Sequence, residues 1–228
     1  MSNGLIGVSS PEQGRFSLFW ASLFGMQRPA NTAMVFARSA VISENRNHIT
    51  AEALRLNADW VLYLDDDHVL QGNTLTRLLE ADKDVISAHY TRRLPPFWPV
   101  VMDAELPDGT FTWKGLNPSD KGIISCAAVG AGALLVKRKV LEALEPPYWT
   151  LGQIHPSSWG DDLHFCSRIR KAGFEVHCDL DNSLAHIMTG CVWPENDPEQ
   201  GWVVNFAQDP GKGPIAKWLM PLPGDHIG

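Results

Sequence analysis

Residues 60–70 read WVLYLDDDHVL, five apolar or aromatic positions followed by three consecutive carboxylates, Asp65, Asp66 and Asp67. Adjacent carboxylates repel one another and no backbone conformation requires them side by side. The physical reason to keep such a cluster is a cation that neutralises it. If the extended conformation persists past Leu64, Asp65 and Asp67 share one side and Asp66 is directed the other way. Hard divalent cations such as Mg²⁺ or Mn²⁺ take carboxylate oxygens and often share them with a phosphate group. One Asp here would read as an Asx turn or a cap, but three after so apolar a run exceed what capping needs. A calcium loop fails on spacing: counted from Asp65, the glycine position is Leu70 and the closing Glu position is Thr76.

A second acidic pair, Asp161–Asp162, opens the segment GDDLHFCSRIRKAG at 160–173. Acids at a helix start cap free N–H groups and favour the helix dipole, and an acid so placed can also serve as a general base. Other polar residues have two readings each. His68 follows the acids and either faces solvent or joins them; Arg92 and Arg93 either contact phosphate or form a solvated pair. His155, His164 and His177 with Cys166, Cys178 and Cys191 match no common zinc spacing. Trp149, Trp159 and Trp193 suit either a sugar-stacking surface or a core.

The elements that must position these groups alternate. GLIGVSS (4–10) reads as a strand, 15–26 as an apolar helix and MVFA (34–37) as a strand. Ile42, Ile49, Ala53 and Leu56 fall on one helical face, with Asn57 as the stop. WVLYL is a continuous apolar run, as in a central parallel strand buried on both faces. Asn73 is placed to cap a helix over 74–81 with Leu75, Leu78 and Leu79 inward, and DVISAHY (84–90) is the next strand. This rhythm predicts an α/β fold, an open and mostly parallel twisted sheet with helices on both faces. Pro107-Asp108-Gly109 predicts an added β-hairpin, 127–144 a glycine-broken strand running into a helix, and FEVHCDL (174–180) a last strand. In an open α/β sheet ligands bind outside the carboxyl ends of the strands, where the acidic triplet sits.

Composition is that of a globular protein: 228 residues, 44% hydrophobic and 20% charged, with a formal charge of −7. There is no extended basic run, which argues against a broad duplex-DNA footprint. The apolar stretch FSLFWASLFGM (16–26) is about half the roughly 20 residues of a membrane span, so no span is expected. Four cysteines without CxxC spacing and no N-terminal signal pattern lead to an expectation of reduced thiols in a cytoplasmic compartment. Residues 1–189 read as one domain, and 190–228, with Pro and Trp but little periodicity, as an irregular extension packed on it or on a neighbouring subunit.

Four stretches, in order, resemble the GT-A fold of nucleotide-sugar glycosyltransferases, in particular small phage-type members related to the inverting family 2: SENRNHITAEAL (43–54), ADWVLYLDDDHV (58–69), VGAGALLVKRKVLEAL (129–144) and GDDLHFCSRIRKAGFEVHCDLDNSLAHI (160–187). The resemblance spans roughly 4–187 and implies a metal-dependent transfer of a sugar from a nucleoside diphosphate donor to a hydroxyl, with inversion favoured by the acids at 161–162 and retention left open, since retaining enzymes share the fold. It implies Asp65, Asp67 and His186 as ligands of Mn²⁺ or Mg²⁺, with the imidazole favouring Mn²⁺. It implies Ser9, Ser10, Pro11, Arg46, Asp65 and Asp66 as the nucleotide-binding set, although Ser-Ser-Pro departs from the usual Pro-Thr beside the base. Asp162 is the implied base, with Asp161 the alternative. The acceptor is left open among a glycan, a protein and a modified DNA base, as is a homo-oligomer. Two other readings remain: a sugar-phosphate nucleotidyltransferase, whose Gly-rich basic loop is poorly matched by SSPEQGRF, and a non-catalytic nucleotide-sugar-binding protein.

Overall fold

The computed structural model describes residues 3–10, 16–93, 97–117, 119–151, 160–189, 191–207 and 213–219. Pro11, His155 and Trp159 lie outside them. The first part of the chain runs β1 (Gly4–Ser10), α1 (Ser17–Gly25), β2 (Thr32–Arg38), α2 (Ile42–Arg55), β3 (Trp60–Asp65), β4 (His68–Val69), α3 (Thr74–Glu80) and β5 (Val85–His89). It continues through β6 (Val101–Glu105), β7 (Phe111–Trp113), β8 (Ile123–Cys126), β9 (Ala128–Val129), β10 (Ala133–Lys137), α4 (Arg138–Glu142), α5 (Asp161–Lys171), β11 (Val176–Ser183) and β12 (Ala185–His186).

Seven strands form the central sheet in the order β2-β1-β3-β10-β5-β11-β8. The pairs β1–β2, β1–β3 and β5–β11 are parallel, whereas β10 runs against both β3 and β5, and β8 against β11. The sheet is therefore mixed: β2, β1, β3, β5 and β11 run one way, in keeping with the expected parallel bias, and β10 and β8 run against them. The cause is local: Gly132 accepts a hydrogen bond from the Asp65 N–H, so β10 starts at the carboxyl end of β3 and can only run back. The predicted hairpin around Pro107-Asp108-Gly109 exists, but its strands β6 and β7 join β9 in a separate three-stranded sheet.

Alternation along the central strands builds two core layers. Leu5, Val61, Tyr63, Val85, Leu134 and Val136 share one cluster with Ile49 and Ala53 of α2 and Phe165 and Ile169 of α5. The alternate positions Ile6, Val8, Leu62, Leu64, Ile86 and Leu135 are also buried but outside that cluster, as are Phe19 and Leu23 of α1 and Leu75 and Leu78 of α3. Helices thus cover both faces. The ends of α2 differ from expectation: Ile42 and Leu56 are exposed, and its buried face is Asn45, Arg46, Ile49, Thr50 and Ala53. Asn57 at φ 50° and Gly173 at φ 90° take the left-handed conformation that ends α2 and α5. The Asn73 side chain makes no cap; Thr74 Oγ1 accepts the Gln71 N–H instead.

The chain divides after His186, three residues before the expected boundary. Beyond it, β13 (Cys191–Asp197), β14 (Gly201–Ala207) and β15 (Ala216–Leu219) form an antiparallel meander, which corrects the expectation of an irregular segment. The prolines permit this because of where they fall. Pro194 lies in the outer strand β13, Pro198 in the turn and Pro214 ahead of β15, leaving the central strand β14 free of proline.

Candidate metal centre

The carboxyl end of β3 distributes its three acids to three different partners. Asp65 continues the strand's alternation and faces α2, like Tyr63 before it. Both its oxygens accept from Arg46 Nη2 at 2.9 Å, and Arg46 Nη1 donates to Asp161 Oδ1 at 2.7 Å. Arg46 is 2% exposed and lies 5.1 Å from the Trp149 ring centroid. Burial opposes its charge, but Asp65, Asp161 and Asp162 outweigh that and hold the guanidinium firmly protonated. Two expectations are corrected here. Arg46 is a buried link between carboxylates and does not reach into the cleft, and Asp65 does not join Asp67 and His186. The physical reason is that strand geometry ends at Asp65, so the period-two argument does not extend to Asp67.

Asp66 accepts a 2.7 Å hydrogen bond from the Ser10 hydroxyl. Ser9 accepts one from Asn45 Nδ2 at 3.1 Å, and Asn45 also donates to the Ser39 carbonyl at 3.0 Å. These contacts tie the ends of β1 and β3 to the start of α2.

Asp67 is the residue that meets His186. The two-residue strands β4 and β12 pair with His186 opposite His68. Within the group Asp67, His68 and His186, one candidate ligand atom from each lies within 4.8 Å of the others. His186 Nδ1 donates to the Thr91 carbonyl at 2.7 Å, which leaves Nε2, with its lone pair, 3.6 Å from Asp67 Oδ2. The Nε2 lone pair and the Asp67 carboxylate together present donor atoms to a metal ion. His68 Nδ1 lies 3.1 Å from Asp67 Oδ1, its ring is stacked on His186 at 4.3 Å, and it is 1% exposed. Neither ring nitrogen of His68 makes a hydrogen bond. Burial opposes ionisation of Asp67, but His186 and then His68 outweigh it and hold the carboxyl far below its ordinary value. Two imidazoles and one carboxylate form a donor set that fits Mn²⁺ and other transition metals better than Mg²⁺.

The glycines of β10's approach make room for this group. A Cβ at Gly132 would stand 2.6 Å from His68 Cε1 and 2.9 Å from Tyr90 Cε1, and one at Gly130 would stand 1.9 Å from the Tyr90 hydroxyl. That hydroxyl accepts the Gly132 N–H at 3.2 Å. The Gly-rich strand thus serves as a wall of backbone.

At the start of α5 the two acids separate in character. Asp161 is 3% exposed and is paired with Arg46. Asp162 is half-buried, and its Oδ1 accepts the Leu163 N–H at 2.8 Å. Burial pushes its carboxyl up to about 6, with Asp161 and Asp65 adding to the shift and Arg46 opposing it. Gly160 leaves space for it, since a Cβ there would stand 2.5 Å from Asp162 Oδ1.

A cleft of about 270 Å³ opens over the three acids of β3's carboxyl end and the two histidines, lined by Ser9, Ser39, Asn45, Asp65, Asp66, Asp67, His68, Tyr90, Arg93 and His186, among others, with Asp161 and Asp162 outside its lining. A larger cavity of about 470 Å³, bordered by Pro29, Trp60, Leu78 and Lys137, lies by the opposite strand ends and contains none of them. Trp149 is buried and stacks on Phe165 at 3.8 Å, so it belongs to the core. Cys126, Cys166 and Cys178 are buried free thiols, their ionisation opposed by burial. Among the described residues no cysteine joins a metal-holding group. Arg92 lies over Trp113, whereas Arg93 reaches Asp67. His68 is the member of the centre that sequence reasoning undervalued. Its adjacency to the acids was the available signal, and its pairing with His186 arises only in the fold.

No protein-family model matches the chain, and no curated protein matches its sequence. Among solved structures the chain is similar to A197 from STIV, with 15% sequence identity and a TM-score of 0.59, over 88% of this chain and 92% of that one. At that identity the similarity is one of fold, and this chain is an α/β protein of the same general architecture.

Proposed function

We propose that the protein is a metal-dependent glycosyltransferase that moves a sugar from a nucleoside diphosphate donor to a hydroxyl acceptor with inversion. The observation that carries this reading is the approach of His186 to Asp67 at the carboxyl end of the sheet, with His68 beside them and a cleft above. Asp67, His68 and His186 would hold the cation, which when bound offsets diphosphate charge and the charge growing on the leaving group. Ser9, Asn45 and Asp66 supply polar groups along the cleft for the donor. Asp161 is committed to Arg46, so Asp162 is the group free to take the proton of the acceptor hydroxyl as that oxygen attacks the anomeric carbon. Arg46, by pairing with Asp65 and Asp161 together, holds the metal-bearing strand end and the start of α5 in one frame.

The test is donor hydrolysis and transfer by the purified protein across nucleotide sugars, with Mn²⁺ and with EDTA. The expected result is Mn²⁺-dependent release of nucleoside diphosphate that EDTA abolishes. Turnover indifferent to EDTA would overturn the reading. Release of pyrophosphate from a nucleoside triphosphate and a sugar phosphate would replace it with nucleotidyl transfer.

A further inference from the structure

Arg93 has no part in the chemistry above, yet its guanidinium occupies the oxygen that chemistry needs. Arg93 Nη1 lies 3.1 Å from Asp67 Oδ2, the same atom that His186 Nε2 approaches at 3.6 Å. The Arg93 side chain is 41% exposed, and the residue lines the cleft. Two residues earlier, the Thr91 carbonyl fixes the His186 tautomer, so one short stretch of backbone carries both the group that orients a ligand and the charge that competes for its partner. Asp65 is neutralised by Arg46 and Asp66 is hydrogen-bonded by Ser10. Asp67 is therefore the carboxylate on which an entering cation and Arg93 contend.

We propose that Arg93 is a diphosphate-binding residue held on Asp67 until a divalent cation displaces it. This rests on reading the site as a cation–diphosphate site. A divalent ion bound at Asp67 repels the guanidinium at a few ångströms. The exposed arm then turns into the cleft, where its planar fork matches two phosphate oxygens. Before the exchange a diphosphate would meet the carboxylates of the cleft; after it, the diphosphate meets a metal ion and a released arginine. Cation and diphosphate consequently bind with positive and reciprocal coupling.

The experiment measures Mn²⁺ binding alone, by the electron paramagnetic resonance of free Mn²⁺, for wild type, Arg93→Ala, Arg93→Lys and Asp67→Asn. Inorganic pyrophosphate is then titrated calorimetrically at saturating Mn²⁺. Arg93→Ala is expected to bind Mn²⁺ about two- to fivefold more tightly than wild type, the scale of removing a half-exposed ion pair. It is expected to bind pyrophosphate about tenfold or more weakly, the scale of a lost charge-assisted hydrogen bond. Arg93→Lys keeps the charge and should retain the weaker Mn²⁺ binding while losing the bidentate grip on pyrophosphate. Unchanged or weaker Mn²⁺ binding by Arg93→Ala, with its melting temperature preserved, overturns the exchange, and so does unchanged pyrophosphate affinity. If wild type binds Mn²⁺ no better than Asp67→Asn, the metal reading fails as well, which separates the two failures.

Discussion

Asp161 and Asp162 are adjacent in sequence and opposite in circumstance, and that contrast sets the pH behaviour of the site. With its carboxyl pushed up to about 6, Asp162 loses the ability to accept a proton as pH falls through that value. Transfer should therefore decline below about pH 6, and Asp162→Asn should remove about 10²–10⁴-fold of the rate, both read from a pH–rate series. Stability has the opposite sign. The folded value lies above the unfolded one of about 3.9, so folding takes up a proton between them and this group's penalty is relieved as pH falls. At pH 7 the charged Asp162 costs on the order of 1–3 kcal/mol. Asp162→Asn should accordingly melt at a higher temperature than wild type at pH 7, and lose that advantage progressively as pH falls from about 6 to about 4. Asp67 behaves in reverse: held low, it stabilises the fold above about pH 3.9, and the contribution disappears as pH drops towards its folded value. His186→Ala and His68→Ala should each weaken Mn²⁺ binding by at least about tenfold in the same titration, and Mg²⁺ should bind wild type less tightly than Mn²⁺.

Among the elements, α2 and the Gly-rich approach to β10 do most to shape the centre. Arg46 on α2 bridges the end of β3 and the start of α5 from a position 2% exposed. Arg46→Met would leave two carboxylates without their counter-charge and should cost about 3–5 kcal/mol in urea unfolding. Gly132→Ala would set a methyl against His68 and Tyr90, which should cost about 1–3 kcal/mol and weaken Mn²⁺ binding in step. These elements were legible in the sequence to different degrees. The 3.6-residue period of α2 and the apolar run of β3 stand out because burial dictates them. That α2 would bury Asn45, Arg46 and Thr50 does not, because an apolar pattern contains no trace of partners on other elements. The strands β4 and β12 are two residues each and carry no periodicity, so the pairing of His68 with His186 could not be read. Convergence of Asp67 with His186 was expected from a motif resemblance; the diversion of Asp65 to Arg46 was not.

For the whole molecule, alternation of strand and helix patterns made the α/β class readable, whereas strand direction was not. Whether β10 enters parallel or antiparallel depends on which end of the sheet the chain has reached, a property of the path and not of any window of residues. The tail departs from expectation for a related reason: proline counts suggest irregularity, but it is proline position relative to the central strand β14 that decides. Residues up to His186 form their own compact unit and include every member of the donor group. A chain ending at residue 189 should therefore unfold in one cooperative step and bind Mn²⁺ within about threefold of the full-length protein, checked by thermal denaturation and the same titration. The position of His186 has a further consequence during biosynthesis. It is the last residue of that unit, and chains leave the ribosome amino end first. Nascent chains hold Asp67 and His68 long before their distant partner has been translated, so the three-residue group can assemble only once the chain has been made as far as His186.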